Sequence, residues 1–318
     1  MRRAFVLLAR FGMLLAFAVV TLGAWVRLTD AGLGCPDWPG CYGQLIVPEP
    51  TSAAAASFER PLEVGKAWRE MIHRYLASTL GLICIALAVI AWRNRHDPEQ
   101  PLKTPLALVA LVIFQGLLGM WTVTLLLKPI VVVAHLFGGF ATLALLFWLA
   151  RWRTVQVTVP PSIRTLGLVA AAVLVLQIGL GGWTSANYAA LACPDFPRCQ
   201  TQWWPAIADY DEAFVLWRGI GVDYEGGVLD HPARVAVHFT PRLGAIAATL
   251  VLGLFGALLL RERRLRPDAA ALLAALAVQL ALGAGIVLFG VPLPVAVAHN
   301  GGAALLLLAI VNANQRIA

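Results

Sequence analysis

Long apolar runs alternate with short charged turns along this chain. A helix that crosses a bilayer needs roughly 20 mostly apolar residues. Eight runs come close to or exceed that length, at 11–27, 72–92, 104–127, 130–150, 163–185, 234–260, 269–290 and 293–314. The first follows a basic start (Arg2, Arg3, Arg10), but its core is long and no small-residue cleavage pattern follows. It therefore reads as a retained helix, not a signal peptide. Composition agrees: the 318 residues are 60% hydrophobic and 13% charged, with a mean hydropathy of +0.78. A soluble domain could not bury that much apolar surface. The predicted fold is an all-α integral membrane protein, eight transmembrane helices arranged as two tandem, pseudo-symmetric four-helix bundles.

Charge orients the predicted helices. Of 24 Lys and Arg and 17 Asp and Glu, segments 1–10, 93–103, 151–164, 261–268 and the tail hold 14 basic residues and four acids, leaving 10 and 13 for the other loops. Basic excess marks the cytoplasmic side, so both termini are expected in the cytoplasm and the long loops 28–71 and 186–233 outside it. The basic residues sit in short membrane-flanking turns, which argues against a nucleic-acid partner. Cys35, Cys41, Cys193 and Cys199 all fall in the outer loops, where a disulfide can persist. Cys84 lies mid-helix and reads as a small buried residue.

Internal similarity divides the chain into halves at 1–155 and 160–318. LGAWVRLTDAGLGCPDWPGC (22–41) returns as LGGWTSANYAALACPDFPRC (180–199) at an offset of 158, and IFQGLLGMWTV (113–123) returns as AVQLALGAGIV (277–287) at 164. A finer unit recurs four times: Leu-Gly-x-Trp at 22–25, 118–121 and 180–183, and the degenerate Leu282-Gly283-x-Gly285. Each copy is followed in the next helix by one histidine, namely His73, His135, His238 or His299.

Ionisable side chains inside a membrane span are costly and mark function by default. Four histidines at matched places in a duplicated chain point to ligation. Imidazole suits zinc, copper, iron and haem. Zinc asks for tightly clustered ligands, whereas two imidazoles on facing helices suit the axial positions of one haem iron. The glycines Gly138-Gly139 and Gly301-Gly302 would let a flat macrocycle approach the backbone, or would simply pack helices closely. No C-x-x-C-H occurs, so such a haem would not be covalently attached. Arg74 and Arg242 are candidates to pair haem propionates, or to reach toward lipid headgroups. His96 falls in a cytoplasmic turn and His231 in an outer loop.

The halves differ at one acid. Glu70 lies three residues before His73, and at the 165-residue spacing of His73 and His238 its counterpart is Val235. A partly buried Glu could handle protons at one site only; the alternative is an acid placed by the helix dipole. The C-x5-C loops leave connectivity open, Cys35–Cys41 and Cys193–Cys199 being the economical pairing. They read either as structural clasps or as sites of thiol–disulfide exchange. The acidic loop 209–230 shows no ligand pattern.

Eight spans, duplicated halves, the CPDWPGC loop, Glu-x-x-His-Arg at 70–74 and one histidine in each even helix together resemble the haem A synthase family over essentially the whole chain. That resemblance implies oxidation of a haem O methyl group to the formyl group of haem A, by successive hydroxylations, for terminal oxidase assembly. It implies haem O held by His73 and His135 in the amino-terminal half, with Glu70 as the catalytic acid. It implies a non-covalent haem b held by His238 and His299 in the other half. It also implies a bacterial inner-membrane location with the cysteine loops in the periplasm. The partners implied are lipid, an electron donor, the haem O-producing enzyme and a second copy of the chain. A departure stands out: the first half reads His73-Arg74, the second His238-Phe-Thr-Pro-Arg242. The competing expectation is a two-haem, b-type electron carrier, which leaves Glu70 and the cysteine loops without a purpose. A repeat-built transporter is a weaker third, since no broken midplane helix stands out.

Overall fold

The computed structural model describes residues 2–318, and among them every regular element is a helix. In chain order these are α1 (Arg2–Leu28), α2 (Ala53–Ala56), α3 (Val64–Arg93), α4 (Lys103–Thr124), α5 (Pro129–Ala150), α6 (Pro161–Ala186), α7 (Tyr210–Ala213), α8 (His231–Leu259), α9 (Arg266–Leu288) and α10 (Leu293–Arg316). All but α2 and α7 are long and apolar enough to cross a membrane. This is the eight-helix membrane fold that the apolar runs predict.

Helix ends follow local chemistry, so several extend past the apolar runs. α3 begins at Val64, eight residues before its apolar run, which leaves Glu70 and His73 well inside the helix. α8 is capped by Asp230, whose carboxylate accepts from the Ala233 N–H at 3.0 Å. Prolines occupy the first turns of α6, α8 and α10, where a missing N–H costs nothing. The chain leaves its helices through left-handed residues at equivalent places: Asp30 and Tyr188, then Leu127 and Val291.

Two compact units form. The first contains Met1–Ala150 and Leu216–Val228, the second Arg151–Val215 and Leu229–Ala318. In the first, α1 packs on α3 and α5, and α4 on α3 and α5; in the second, α6 packs on α8 and α10, and α9 on α8 and α10. Each unit is thus a closed ring of four helices, with the histidine-bearing pair separated by the other two. Segment Leu216–Val228 is bound into the first unit by specific contacts. Arg60 pairs with Glu225 at 2.8 Å, and the Tyr224 N–H donates to the Leu126 carbonyl at 3.0 Å. The buried Lys128 ammonium donates to the Gly219 carbonyl and lies 3.3 Å over the Trp217 ring.

Candidate functional site

In the first unit, α3 and α5 bring His73 and His135 together with ring centres 6.5 Å apart. Two imidazoles bound to one metal from opposite sides, through bonds of about 2 Å, have ring centres about 6 Å apart. Both Nδ1 atoms are buried without a hydrogen-bond partner, which is expensive unless a ligand makes use of the rings. Among the described residues no three His, Cys, Asp or Glu side chains gather around a bare ion. The arrangement is therefore a pair.

The recurring glycine explains the pair's placement. A Cβ added at Gly23 would lie 3.1 Å from His73 Cε1, and one at Gly119 would lie 3.6 Å from His135 Cε1. In the second unit, Gly283 meets His299 in the same way, at 3.1 Å. The Leu-Gly-x-Trp glycine is the platform on which the next helix's imidazole rests. At Gly181 nothing lies within 4 Å.

Gly181 is bare because His238 points elsewhere. Its Nδ1 lies 2.9 Å from the Ala189 carbonyl, and its Nε2 lies 3.0 Å from Arg242 Nη2. Arginine can only donate, so Nε2 accepts and Nδ1–H donates to Ala189; both ring nitrogens are engaged.

Glu70 is 5% exposed. One of its oxygens accepts from the Cys35 N–H at 2.9 Å, and the other pairs with the Arg74 guanidinium. α3 starts six residues earlier, so this is not an acid placed by a helix N-terminus. Arg74 also donates to the carbonyls of Asp37, Pro39 and Gly40. Arg242 donates to the carbonyls of Asp195, Pro197 and Arg198, the same three positions 158 residues on. Both guanidinium groups are thereby directed at the cysteine loops. The loops close as Cys35–Cys41 and Cys193–Cys199, each with 4.8 Å between Cα atoms. Asp37 accepts from the N–H groups of Tyr42 and Gly43, and Asp195 from those of Gln200 and Thr201. Burial works to raise the Asp195 carboxyl, but these N–H groups and the Arg242 charge outweigh it and hold it below the usual carboxylate range.

With that geometry in place, comparison with known proteins is decisive. The cytochrome oxidase assembly protein family, COX15-CtaA, matches residues 7–311. The chain belongs to this family. It is similar to the heme A synthase of Shewanella oneidensis, 44% identical over 316 residues that cover 96% of this chain and 94% of the relative. It is also similar to the heme A synthase of Caulobacter vibrioides, 30% identical over 92% of this chain and 90% of that one, and to that of Rhizorhabdus wittichii, 29% identical over 93% and 89%.

Three glutamines of this COX15-CtaA chain escaped the sequence analysis. Gln115 donates to the His135 carbonyl at 3.0 Å, Gln177 to the Pro241 carbonyl at 2.9 Å, and Gln279 lies 3.4 Å from His299 Nε2. The carboxamide oxygens fill the space beside Gly138, Gly244 and Gly302. The room expected for a macrocycle at Gly138 and Gly302 is occupied by these amides. Each glutamine stands four residues before the platform glycine, so a polar amide at one register of three odd helices was the available signal.

The same contacts reset the alignment of α3 and α8. Ala67 and Met71 pack on the first cysteine pair, and Val235 and Phe239 on the second. That offset is 168, as it is for Arg74 and Arg242. The counterpart of Glu70 is therefore His238, not Val235, because packing on the loop sets the register and the loop before α8 is longer.

Proposed function

We propose that this chain is a haem A synthase, oxidising a ring methyl group of haem O to the formyl group of haem A by successive hydroxylations. The observation that carries this is the first unit's pair, His73 and His135, with ring centres 6.5 Å apart, room for one iron between them, and both Nδ1 atoms buried and unpartnered. In this reading the two imidazoles hold the substrate's iron and fix the macrocycle between α3 and α5. The bound iron supplies the redox chemistry that the polypeptide lacks.

The chain's own residues bind, orient and exclude water. Gly23 and Gly119 let the rings lie against α1 and α4. Glu70 acts through its neighbours as a positioning residue: it joins the Cys35 N–H of the loop to α3 one turn before His73 and keeps Arg74 on the loop carbonyls. The disulfide-closed loop then acts as a lid anchored to the ligand helix. A resident, non-covalent haem b belongs to the second unit, with His299 as its imidazole.

The basic turns and the disulfides support an inner membrane location, with both termini cytoplasmic and the cysteine loops periplasmic. Lipid, an electron donor and the haem O-producing enzyme are the partners this function requires.

Deletion of the gene in a host with no second copy is expected to leave haem O and abolish haem A, measured by haem extraction and chromatography. Normal haem A in that strain would overturn the proposal. A two-haem electron carrier instead predicts a purified protein that never converts haem O.

A further inference from the structure

We propose that the second unit has lost one histidine of the four-fold pattern: Pro241 stands in its register, and His238 is a positioning residue that holds the second cysteine loop. This rests on the haem reading of the first unit and goes beyond it.

Independent contacts give Pro241 the register in its unit that His73 has in the first. Arg74 and Arg242, each the next residue in the chain, grip the same three loop carbonyls. Gln177 binds the Pro241 carbonyl as Gln115 binds that of His135, and the glycine three residues on receives the amide in both cases. The platform Gly181, four residues after Gln177, has no ring to carry.

The helix is adapted to the proline. Proline has no N–H, so the carbonyl four residues earlier loses its partner. That carbonyl belongs to Val237, and the Thr184 hydroxyl of α6, whose one proton also reaches the Leu180 carbonyl at 2.9 Å, lies 3.2 Å from it. The residue equivalent to Thr184 in the first half is Val26, which has no hydroxyl to give.

His238, one turn before Pro241, cannot replace the missing ligand while its surroundings stay as they are. A neutral imidazole has one lone pair, and Arg242 takes it while Nδ1–H is held by Ala189. His238 is 6% exposed and bridges Ala189, just before Cys193, to the arginine that grips the loop. Glu70 performs the same task in the first unit. His299 differs: only the Gln279 amide approaches its Nε2, at 3.4 Å, and its Nδ1 has no partner, so the second unit keeps it as its one imidazole on a glycine platform, and a haem there has one protein ligand of this pattern rather than two.

The test is haemin titration of the detergent-purified full chain, read by the low-spin bis-imidazole signal in electron paramagnetic resonance. His73→Ala is expected to remove that signal entirely, and His238→Gln to leave its intensity unchanged. Pro241→His is expected to add a second signal, raising the total about twofold. A bis-imidazole signal that survives His73→Ala and vanishes when His238→Gln is added would overturn the proposal. A wild-type chain with no such signal would defeat the haem reading of the first unit; Pro241→His would still have to create one, and failure to do so overturns this proposal. A readout without haem separates the positioning role: His238→Ala should speed amide hydrogen exchange across 189–202, with rescue by His238→Gln. Unchanged exchange in His238→Ala would overturn that role.

Discussion

His73 and His238 sit on corresponding helices, beneath cysteine loops of the same construction, yet they do different work. His73 rests on Gly23 and faces His135 across 6.5 Å. His238 sits one turn nearer the loop, in the register of Glu70, and spends both nitrogens on Ala189 and Arg242. In the proposed reading, duplication supplied one scaffold and a change at a single register left a ligand pair in one half and a lone ligand in the other. The clamp beneath each loop survived with a different chemistry, a carboxylate in one half and an imidazole in the other.

The largest contrast is expected in activity. His73→Ala or His135→Ala should reduce haem A formation at least about 100-fold, since positioning of the reacting group is lost. His238→Gln should stay within a few-fold of the parent. Equal losses from both variants, measured as haem A in membranes, would break the comparison.

Next are the two arginines. Arg74→Ala strands a buried carboxylate and should cost about 3–5 kcal/mol of stability. Arg242→Ala leaves a neutral imidazole and should cost about 1–2 kcal/mol. Thermal unfolding in detergent orders them; an equal cost would mean that Glu70 and His238 are held alike. Loss of either disulfide, through Cys35→Ser with Cys41→Ser or the Cys193 and Cys199 pair, closes no long loop and should cost about 2 kcal/mol in each half. The same assay checks it, and a much larger loss in one half would show that its disulfide matters beyond loop closure.

The smallest effect is the most discriminating. Gly23→Ala pushes a methyl to 3.1 Å from His73, whereas at Gly181 the same methyl meets nothing. Gly181→Ala should stabilise its helix by about 0.5–1 kcal/mol, while Gly23→Ala should shift the haem spectrum of the first unit. A spectrum indifferent to Gly23→Ala would remove the platform from the argument.

All eight long helices were legible from apolar runs alone, because a bilayer imposes its thickness on sequence directly. Their ends were less so: α3 starts in a polar stretch, Val64–Glu70, that hydropathy leaves outside the span. His73 and His135 were legible as ionisable groups where such groups are costly, and Glu70 as an acid three residues before His73 that the second half does not repeat. The register of α8 was not legible. His238 is the only histidine near the right place, so alignment by residue type selected it; alignment by packing partners selects Pro241. Arg74 and Arg242 were read as propionate or headgroup contacts because no sequence pattern reveals three backbone carbonyls converging on one guanidinium.

Segment Leu216–Val228 bears on the order in which this protein can be made. The chain enters the second unit at Arg151, returns to the first for Leu216–Val228, and goes back at Leu229. The first unit is therefore incomplete until residue 228 has left the ribosome, after α6 has already been synthesised. Lys128 must wait for Gly219 and Trp217, and Arg60 for Glu225. Maturation of the unit with two facing imidazoles is thereby tied to synthesis of its neighbour, and a half-length product would lack the last thirteen residues of that unit.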